Sequence, residues 1–504
     1  MTPLSSADVS IMVSIIGIYM AAVLVIGWMA YRVSESTPAD FFLANRTLGP
    51  IVLTMTLIAS VFSAFTFLGA AGISYRFGTG WFMAQATGNA MLAFTLWLVG
   101  RRVYLISRSR NYLTPAQLFG ERFGNPRIRD LWAVLMLIAS VPYLAIQPVG
   151  AGYAFSGLTG GAISYEVGAT LIMVVMVAYV LLGGMRSVAW TDTLQGFMMI
   201  IFLGVAMWVA VSVAGGFGAA GAKVAKDFPA LFTRPGPNNF WTLQSMISWW
   251  LIFLSNVAFL PIILIRFMSA KNVGSLKFGT VAWPVVTIVV VFFTTFLGVL
   301  ARSAIPDLKQ ADQIVPTLLS QFAHPVVAAL IMAGALAAMM STGDSFMHYV
   351  GASFVKDFWQ PYVEPKASDA RLTWVGRGAI LVVSVLAWFI ALKPPSFIVN
   401  LGAAAFTIIG VMAPAGYAAL FWRRATVPGV AASMILAALY VIAQQFKWLP
   451  ASWNMGFMPI VPGLVIGAVV VAVGSWITKA PRAEVVGGFF DVWEKRGSRV
   501  QPAG

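Results

Sequence analysis

Long apolar runs separated by short polar segments dominate the chain. Thirteen runs hold about 20 or more residues each, the length that an α-helix needs to cross a bilayer. The runs are continuous and do not alternate at every second residue, so they predict α-helices and not the strands of a transmembrane barrel. Their predicted limits are 9–31, 50–75, 79–99, 130–157, 163–182, 188–214, 241–267, 276–301, 324–350, 373–393, 397–422, 427–446 and 457–477.

The run 50–75 contains polar interruptions near its middle. Ser60, Ser63 and Thr66 stand among small and apolar residues, and we expect an unwound turn there that exposes the carbonyls of Ala59 and Phe62. Non-helical backbone at this depth is tolerated only where it lines a cavity or is buried in protein.

The run 241–267 has a comparable irregularity at Ser255-Asn256 and Pro261. Each interrupted run is the first in a set of five, 50–214 and 241–422. Because five is odd, the second set enters the membrane in the opposite sense, which predicts an inverted repeat with a binding site at the midplane.

The whole chain, 1–504, is therefore predicted to be one transmembrane domain. An extra N-terminal helix (9–31) precedes the two repeats, two peripheral helices (427–477) follow them, and residues 478–504 form a polar tail. Thr114-Pro115 in the connection after the third run predicts a short helix, because Thr is a good N-cap and Pro is favoured at the first helical position.

Composition agrees with a membrane protein and narrows the chemistry. Hydrophobic residues make up 60% of the chain and charged residues 10%, whereas soluble chains carry about 25% charged residues. Cysteine is absent and there are two histidines, too few for a cysteine- or histidine-based metal centre. We identify no catalytic residues, and we expect that the protein is not an enzyme.

The net charge of +15 is explained by topology. If the N-terminus lies outside, the inner connections and the tail hold 24 of the 32 basic residues and the outer connections hold 8. The positive-inside rule therefore predicts an outside N-terminus and a cytoplasmic C-terminus in the plasma (inner) membrane. Membrane topology and contact with the headgroups of the lipid bilayer explain the basic residues, and no nucleic-acid partner is expected.

Two acidic residues, Asp192 and Asp344, fall inside the apolar runs. A carboxylate at that depth costs about 2.5–3.5 kcal/mol and commonly marks an ion or proton pathway; a structural hydrogen bond between helices is the alternative. Asp344 flanks a helix face that carries hydroxyl groups, and hydroxyl oxygens are hard ligands suited to a small cation. The alternative to a cation site is that this face only packs its small residues against a neighbouring helix. That face is formed by Ala338, Ser341, Thr342 and Ser345.

Several motifs are similar to those of one transporter family. The motifs are Asp40-Phe41-Phe42-Leu43-Ala44-Asn45-Arg46, Gly183-Gly184-Met185-Arg186 with Trp190-Thr191-Asp192 and Gln195-Gly196, Arg266 after Pro261, and Ala338 to Ser345. Over roughly residues 10–475 the chain resembles the sodium:solute symporters, which implies an all-α fold with the leucine-transporter-type 5+5 inverted repeat. Sodium would be the coupling ion, and the protein would work as a monomer.

The resemblance also implies ligand sets. One sodium would bind between the first and eighth core helices, at the carbonyls of Ala59, Phe62 and Ala338 and the hydroxyls of Ser341 and Thr342. A possible second sodium would bind at Asp192, Asp344 and Ser345, although Asp344 stands where a smaller polar residue is common. The solute pocket would lie among the first, second, third, sixth and tenth core helices, at Ser63, Thr66, Trp81, Gln85, Gln147 and Asn256.

The predicted function is sodium-coupled import of a small organic solute by alternating access. A carboxylate is favoured, since Ala304-Ile305-Pro306-Asp307-Leu308, Val315-Pro316-Thr317-Leu318, Lys393-Pro394-Pro395 and Val141 to Gln147 resemble the pantothenate and monocarboxylate branches. Bulky Phe62, Phe65 and Phe67 also favour a small or partly apolar acid. The alternatives are proton coupling through Asp192 or Asp344, a proline-like amino-acid symporter, and a transporter-like sensor.

Overall fold

A computed structural model describes residues 5–35, 37–394 and 398–497. Within them the chain forms twenty α-helices and no strand. The helices are α1 (Ser6–Arg32), α2 (Pro38–Leu43), α3 (Pro50–Val61), α4 (Ala70–Phe77), α5 (Gly80–Arg110), α6 (Pro115–Arg122), α7 (Pro126–Leu158), α8 (Tyr165–Val213), α9 (Phe217–Asp227), α10 (Leu243–Phe259), α11 (Pro261–Ser269), α12 (Val273–Ala301), α13 (Ile314–Phe322), α14 (Pro325–Ser353), α15 (Asp369–Leu392), α16 (Ile398–Gly410), α17 (Ala413–Phe421), α18 (Val427–Gln445), α19 (Ile460–Ile477) and α20 (Ala483–Gly497).

Thirteen membrane crossings can be counted in this part of the chain. Ten helices or helix pairs are long and apolar enough to span a bilayer, and two bent pairs each add one span. The 49-residue α8 makes two crossings, because Gly184 breaks its helical backbone (φ 54°, ψ −147°). Tyr179 and Ser187 on its two limbs both contact Gly27 of α1, although eight residues of straight helix would span about 12 Å.

The two ends of the bundle are named here by α1. The N-terminal face is the end where α1 begins, and it includes the connections 214–242, 302–324 and 446–459. The C-terminal face is the opposite end, where Leu48 pairs with Ala270 and the Arg46 guanidinium donates to the Ser107 and Tyr112 carbonyls. These contacts join connections between different helices, so these connections lie at the same end of the bundle.

The predicted runs match the helices closely with two exceptions. After α14 the chain continues as a π-helical segment, Phe354–Val363, beyond the predicted limit of 350. The other exception is the run that forms α5. The run was predicted to end at residue 99, but the helix continues to Arg110. The extension is amphipathic: Val103 and Ile106 are buried, whereas Arg108 is exposed, so it passes beyond the apolar layer without leaving a helical conformation. The predicted short helix is confirmed as α6, with Thr114 as its N-cap. The predicted Lys393-Pro394-Pro395 turn reaches outside the described residues at Pro395.

The first predicted helix break is confirmed. The last α-helical bond of α3 joins the Phe62 amide to the Ile58 carbonyl, and Phe62 has extended backbone. The Ser63 hydroxyl then accepts a hydrogen bond from the Phe65 amide at 3.1 Å, which is the action of an N-cap. The π-helical segment Phe65–Gly69 leads into α4, and the two halves differ in direction by 61°.

The second break lies at one of the two predicted places. The chain bends by 42° between α10 and α11, at Leu260-Pro261, because Pro261 has no amide proton to continue the helix. The irregularity expected at Ser255-Asn256 is wrong: both residues are helical. The Ser255 hydroxyl bonds back to the Leu251 carbonyl at 2.6 Å, so it is satisfied within the helix.

The tail after residue 478 was predicted to be polar, but part of it packs on the protein. Helix α20 buries Phe489 and Phe490, and Arg110 donates to the Gly488 carbonyl at 2.8 Å. The Arg122 guanidinium lies 5.0 Å from the Phe490 ring, and its burial lowers the pKa of Arg122 to about 10. The sequence did not predict this packing, because two adjacent phenylalanines are too short an apolar run to indicate a buried helix face.

Candidate functional site

Oxygen atoms of α3 and α14 meet beside the first helix break. The Ser341 hydroxyl lies 2.8 Å from the Ala59 carbonyl and 3.1 Å from the Ala338 carbonyl. The Thr342 hydroxyl lies 3.4 Å from the same Ala59 carbonyl. The Ala59 oxygen is free for these contacts because the helix ends before residue 63 can bond to it. Four of the five oxygens predicted to hold the first sodium are thus brought together, all in buried residues.

Phe62, the fifth predicted residue, forms the break itself. Its side chain and Ala338 line a small cavity of about 10 Å³, about the size that one water molecule needs. Ser63 and Thr66 line the same cavity. Among the described residues, neither the Ser341 hydroxyl nor the Thr342 hydroxyl forms a hydrogen bond with the Phe62 carbonyl.

A buried ion pair lies one helix turn away, between Asp192 and Arg266. The guanidinium Nη2 is 3.2 Å from the carboxylate, and neither side chain is exposed to solvent. The Thr56 hydroxyl also donates to Asp192, and Arg266 donates to Thr56 at 3.2 Å. Arg266 further donates to Ser345. A positive charge therefore already lies between two of the three residues predicted to bind a second sodium.

Asp344, the third of these residues, faces a different neighbour. One carboxylate oxygen accepts the Tyr179 hydroxyl proton at 2.7 Å, and the other is 3.2 Å from the Ser345 hydroxyl. Ser345 also lies 3.2 Å from Ser60 and bonds to the Ser341 carbonyl at 2.7 Å. Ser345 thus links the ion pair to the oxygens that were predicted to bind the first sodium.

Three of the six predicted solute residues line one cavity. Thr66, Gln85 and Asn256 border a space of about 10 Å³ next to the helix break. Both polar atoms of the Asn256 amide and the Gln85 Oε1 are buried and have no hydrogen-bond partner among the described residues. Buried polar groups are normally paired, so these atoms are suited to bind a polar ligand.

The other three predicted solute residues lie around the break. Ser63 caps the half-helix that leads into α4. Gln147 accepts a hydrogen bond from the Ala64 amide at 3.3 Å, so it supports the unwound backbone directly. Trp81 is fully buried and packs 5.8 Å from the Phe65 ring. It therefore forms the wall of the site on the side of the N-terminal face.

Arg266 is the principal site residue for which the sequence predicted no contact, although Arg266 after Pro261 was one of the motifs that resemble the family. It appeared as a basic residue at the inner end of an apolar run and was attributed to topology. An audit of basic residues within the runs, like the one made for acidic residues, would have found it. The search for acidic residues within the apolar runs also missed three carboxylates that are buried outside those runs. They are Asp40, Asp312 and Asp357. Burial raises the pKa of Asp312 to about 6.

Similarity to known proteins extends over most of the chain. The profile of the sodium:solute symporter family matches residues 41–437. The sodium/pantothenate symporter of Haemophilus influenzae is 29% identical over 86% of this chain and 90% of its own. The sodium/proline symporter of Escherichia coli is 27% identical over 92% of this chain and 93% of its own. The structure of a Na+-coupled sialic acid symporter superimposes with a TM-score of 0.79 at 17% identity, covering 94% of this chain and 99% of the other.

Proposed function

Since this chain belongs to the sodium:solute symporter family, with sodium as its coupling ion, we propose that its solute is a small organic carboxylate. The similar proteins named above are symporters of pantothenate and of proline, and both compounds carry a carboxylate. At this identity the shared chemistry, and not either compound, is what supports the proposal.

The cavity at the helix break supports a carboxylate in a second way. Its lining, including Gln85 and Asn256, has no ionisable side chain, so an anion there needs another source of positive charge. The half-helix that begins at Ser63 presents its N-terminal end to the site, and such ends favour anions. A sodium ion near Ala59 adds a full positive charge close by. We propose that these two groups compensate the carboxylate, while Asn256 and Gln85 bind the rest of the solute.

The first sodium is proposed to bind at Ala59, Phe62, Ala338, Ser341 and Thr342. The supporting observation is the convergence of hydroxyls on the Ala59 carbonyl, at 2.8 Å and 3.4 Å. An ion coordinated by these oxygens would replace the hydrogen bonds that now join them, and the hydroxyl groups would keep their protons and turn them away from the ion. Such a bridge between α3 and α14 would hold the two helices in one arrangement, and an ion shifts a conformational equilibrium only through such differential binding.

For the second predicted sodium site we propose a different arrangement. The Arg266 guanidinium pairs with Asp192 and donates to Ser345, so it can supply the cation that this position requires. A sodium at Asp192, Asp344 and Ser345 would have to displace it. We therefore propose that one sodium is transported with each solute. A sodium-to-solute ratio of two, measured with radiolabelled ions, would favour the second site instead.

Alternating access would proceed through the two broken helices. We propose that the repeats 50–214 and 241–422 rock around the midplane cavity in a monomer whose N-terminal face is extracellular. The 61° and 42° bends separate helix halves on the two sides of the site, so each half can move with its own face. A membrane potential of 100 mV contributes about 2.3 kcal/mol for each sodium that enters.

The experiment that tests the proposed solute class is a panel of compounds scored by thermal stabilisation. A ligand that binds the folded state raises its apparent stability. Pantothenate, L-proline, short monocarboxylates and the analogues of each with an amide in place of the carboxylate would be compared in sodium and in choline. We expect stabilisation by at least one carboxylate in sodium alone, and none by its amide. Equal stabilisation by acid and amide would refute the carboxylate proposal.

A further inference from the structure

An arginine lies inside the membrane-spanning part of α15. Because α14 starts at the N-terminal face, α15 begins at the C-terminal face, and its length and apolar composition suffice to cross a bilayer. Arg377 follows eight residues after the first residue of the helix, Asp369, which is about 12 Å along the helix axis. A charge at that depth is costly, so such side chains usually pair with another charge or reach to the membrane surface. Arg377 therefore needs a partner.

The contacts of Arg377 with the described residues are aromatic. Its guanidinium carbon lies 4.8 Å from the ring centroid of Trp374 and 5.9 Å from that of Phe41. Its Nε is buried and has no hydrogen-bond partner within the described residues. The face of a ring attracts a cation but carries no net charge, so these contacts do not neutralise the guanidinium.

Carboxylates in the adjoining segments are paired with other arginines. Asp40 in α2 forms a salt bridge with Arg186 at 2.5 Å. Glu364, in the connection before α15, forms one with Arg371 at 3.2 Å. In the part of the chain that the structure describes, Arg377 thus has no counter-ion, and one negative charge from outside the protein would complete the site.

The surroundings of Arg377 suit a lipid better than a dissolved anion. Trp374 is 65% exposed, and tryptophan is enriched where a span meets the headgroups. Leu381 and Val385, which are also exposed, follow Arg377 by four and eight residues, so they continue the same face of α15 towards the membrane centre. A phospholipid can therefore place its phosphate at Arg377 and an acyl chain along this face.

Arg377 also lies where α15 packs against α2. A Cβ atom on Gly376 would come within 3.3 Å of the Phe42 ring. The Phe41 carbonyl accepts a hydrogen bond from Nε2 of His348 in α14 at 2.6 Å. Helix α2 precedes α3, the first half of the broken helix. A ligand of Arg377 would thus stabilise the packing of α2 beside the broken helix.

We propose that Arg377 binds the phosphate of an anionic phospholipid in the leaflet at the C-terminal face, and that the bound lipid restrains α2. The guanidinium donates to the phosphate oxygens, and an acyl chain covers Leu381 and Val385. A zwitterionic headgroup is disfavoured, because it brings its own cation next to Arg377. The lipid site does not depend on the solute or on its charge.

Cross-linking of photoreactive lipids to the full-length protein in liposomes tests the site. Phosphatidylglycerol and phosphatidylcholine, each with the same diazirine-bearing acyl chain, would be compared by the amount of each that cross-links to α15. The end of α1 gives the reference ratio, because Arg32 also lies over an exposed tryptophan there, 4.0 Å from the ring centroid of Trp28, but is itself exposed. The variants are Arg377→Gln, which removes the charge, Arg377→Lys, which keeps it, and Arg32→Gln as the matched control.

We expect the ratio of phosphatidylglycerol to phosphatidylcholine at α15 to exceed the reference about fivefold, in keeping with one basic residue at an anionic membrane surface. Arg377→Gln should remove this preference, whereas Arg377→Lys and Arg32→Gln should preserve it. Equal ratios at α15 and α1, or a preference at α15 that survives Arg377→Gln, would overturn the site. Loss of the phosphatidylglycerol cross-link in excess inorganic phosphate would overturn its assignment to a lipid.

Hydrogen exchange of the backbone amides then tests the restraint on α2. Exchange over residues 38–46 would be compared in nanodiscs of phosphatidylglycerol and of phosphatidylcholine, with the connection 214–242 at the opposite face as the control segment. We expect exchange over 38–46 to be about threefold slower in phosphatidylglycerol for the wild type, since a restrained segment opens less often, and equal in the two lipids for Arg377→Gln. Equal exchange in the wild type together with a confirmed cross-linking preference would overturn the restraint on α2 and leave the lipid site standing.

Discussion

Replacing Asp192 by Asn should destabilise the protein through the charge that it leaves behind. Asn keeps the shape and can still accept a proton from Thr56, but it no longer neutralises Arg266. The guanidinium is fully buried, 3.2 Å from the carboxylate. Without that carboxylate, its remaining hydrogen-bond partners would be the Thr56 and Ser345 hydroxyls and the Ile262 carbonyl, all of them neutral. Removing one member of a buried pair costs about 3–5 kcal/mol, whereas removing both costs much less because no charge stays unpaired.

The assay is reversible unfolding by SDS in mixed micelles, applied to the wild type, Asp192→Asn, Arg266→Gln and the double variant. The expected order of stability is wild type, then the double variant, then Asp192→Asn. A double-mutant cycle isolates the coupling between the two residues. If the loss of unfolding free energy in the double variant equals the sum of the losses in the two single variants, the ion-pair explanation is refuted.

The same variants test the second sodium site. If Asp192 is the counter-ion of Arg266, Asp192→Asn lowers stability but leaves the dependence of stability on sodium concentration unchanged. If Asp192 is a sodium ligand, the steepness of that dependence falls in Asp192→Asn, since stabilisation follows the occupancy of each ion site. The second result would contradict the proposed transport of one sodium.

Three further predictions concern separate parts of the chain. Ser341→Ala and Thr342→Ala should each raise the sodium concentration for half-maximal uptake about tenfold to a hundredfold, for a loss of about 1.5–3 kcal/mol per charge-assisted contact. Ser384→Ala, which removes a buried hydroxyl that donates to the Ile380 carbonyl of its own helix, is the matched control. Wild-type sodium dependence in both variants would contradict the site. Because the pKa of Asp312 is raised to about 6, the folded state holds its proton where the unfolded state has lost it. The free energy of unfolding should therefore fall by about 1.4 kcal/mol per pH unit as the pH rises from about 4 to 6. Asp312→Asn should flatten this dependence in a series of thermal melts. An identical slope in the variant would contradict the prediction. Gly184→Ala should cost about 1–3 kcal/mol, because its φ of 54° with ψ −147° is a conformation that residues with a Cβ rarely adopt; an unchanged melting temperature would contradict the proposed turn between the two limbs of α8.

Much of the architecture could be predicted because it depends on length and hydropathy. A bilayer sets the length of each apolar run, so most of the predicted runs coincide with helices. The break at Phe62 was found because Ser60, Ser63 and Thr66 interrupt an apolar run where backbone must be satisfied by protein. At α5 the prediction ended too early, since hydropathy marks the edge of the apolar layer and not the end of a helix.

The contacts of the site could be predicted only in part. The resemblance supplied the oxygens at Ala59, Ala338, Ser341 and Thr342, which the structure brings together. The partner of Asp192 could not be read from spacing, because Arg266 is 74 residues away in sequence and pairs with it through the packing of two different helices. Asp312 was assigned to a connection, and a pattern of polarity does not show that a connection folds back onto α4.

The most direct test of the account is sodium-driven uptake by the purified protein in liposomes. The carboxylate identified by the compound panel would be offered under an inward sodium gradient, and under an equal choline gradient at the same pH. We predict uptake against the solute gradient in sodium and none in choline, with the sodium requirement raised in Ser341→Ala. Uptake that persists in choline at the same rate would contradict sodium coupling at this site.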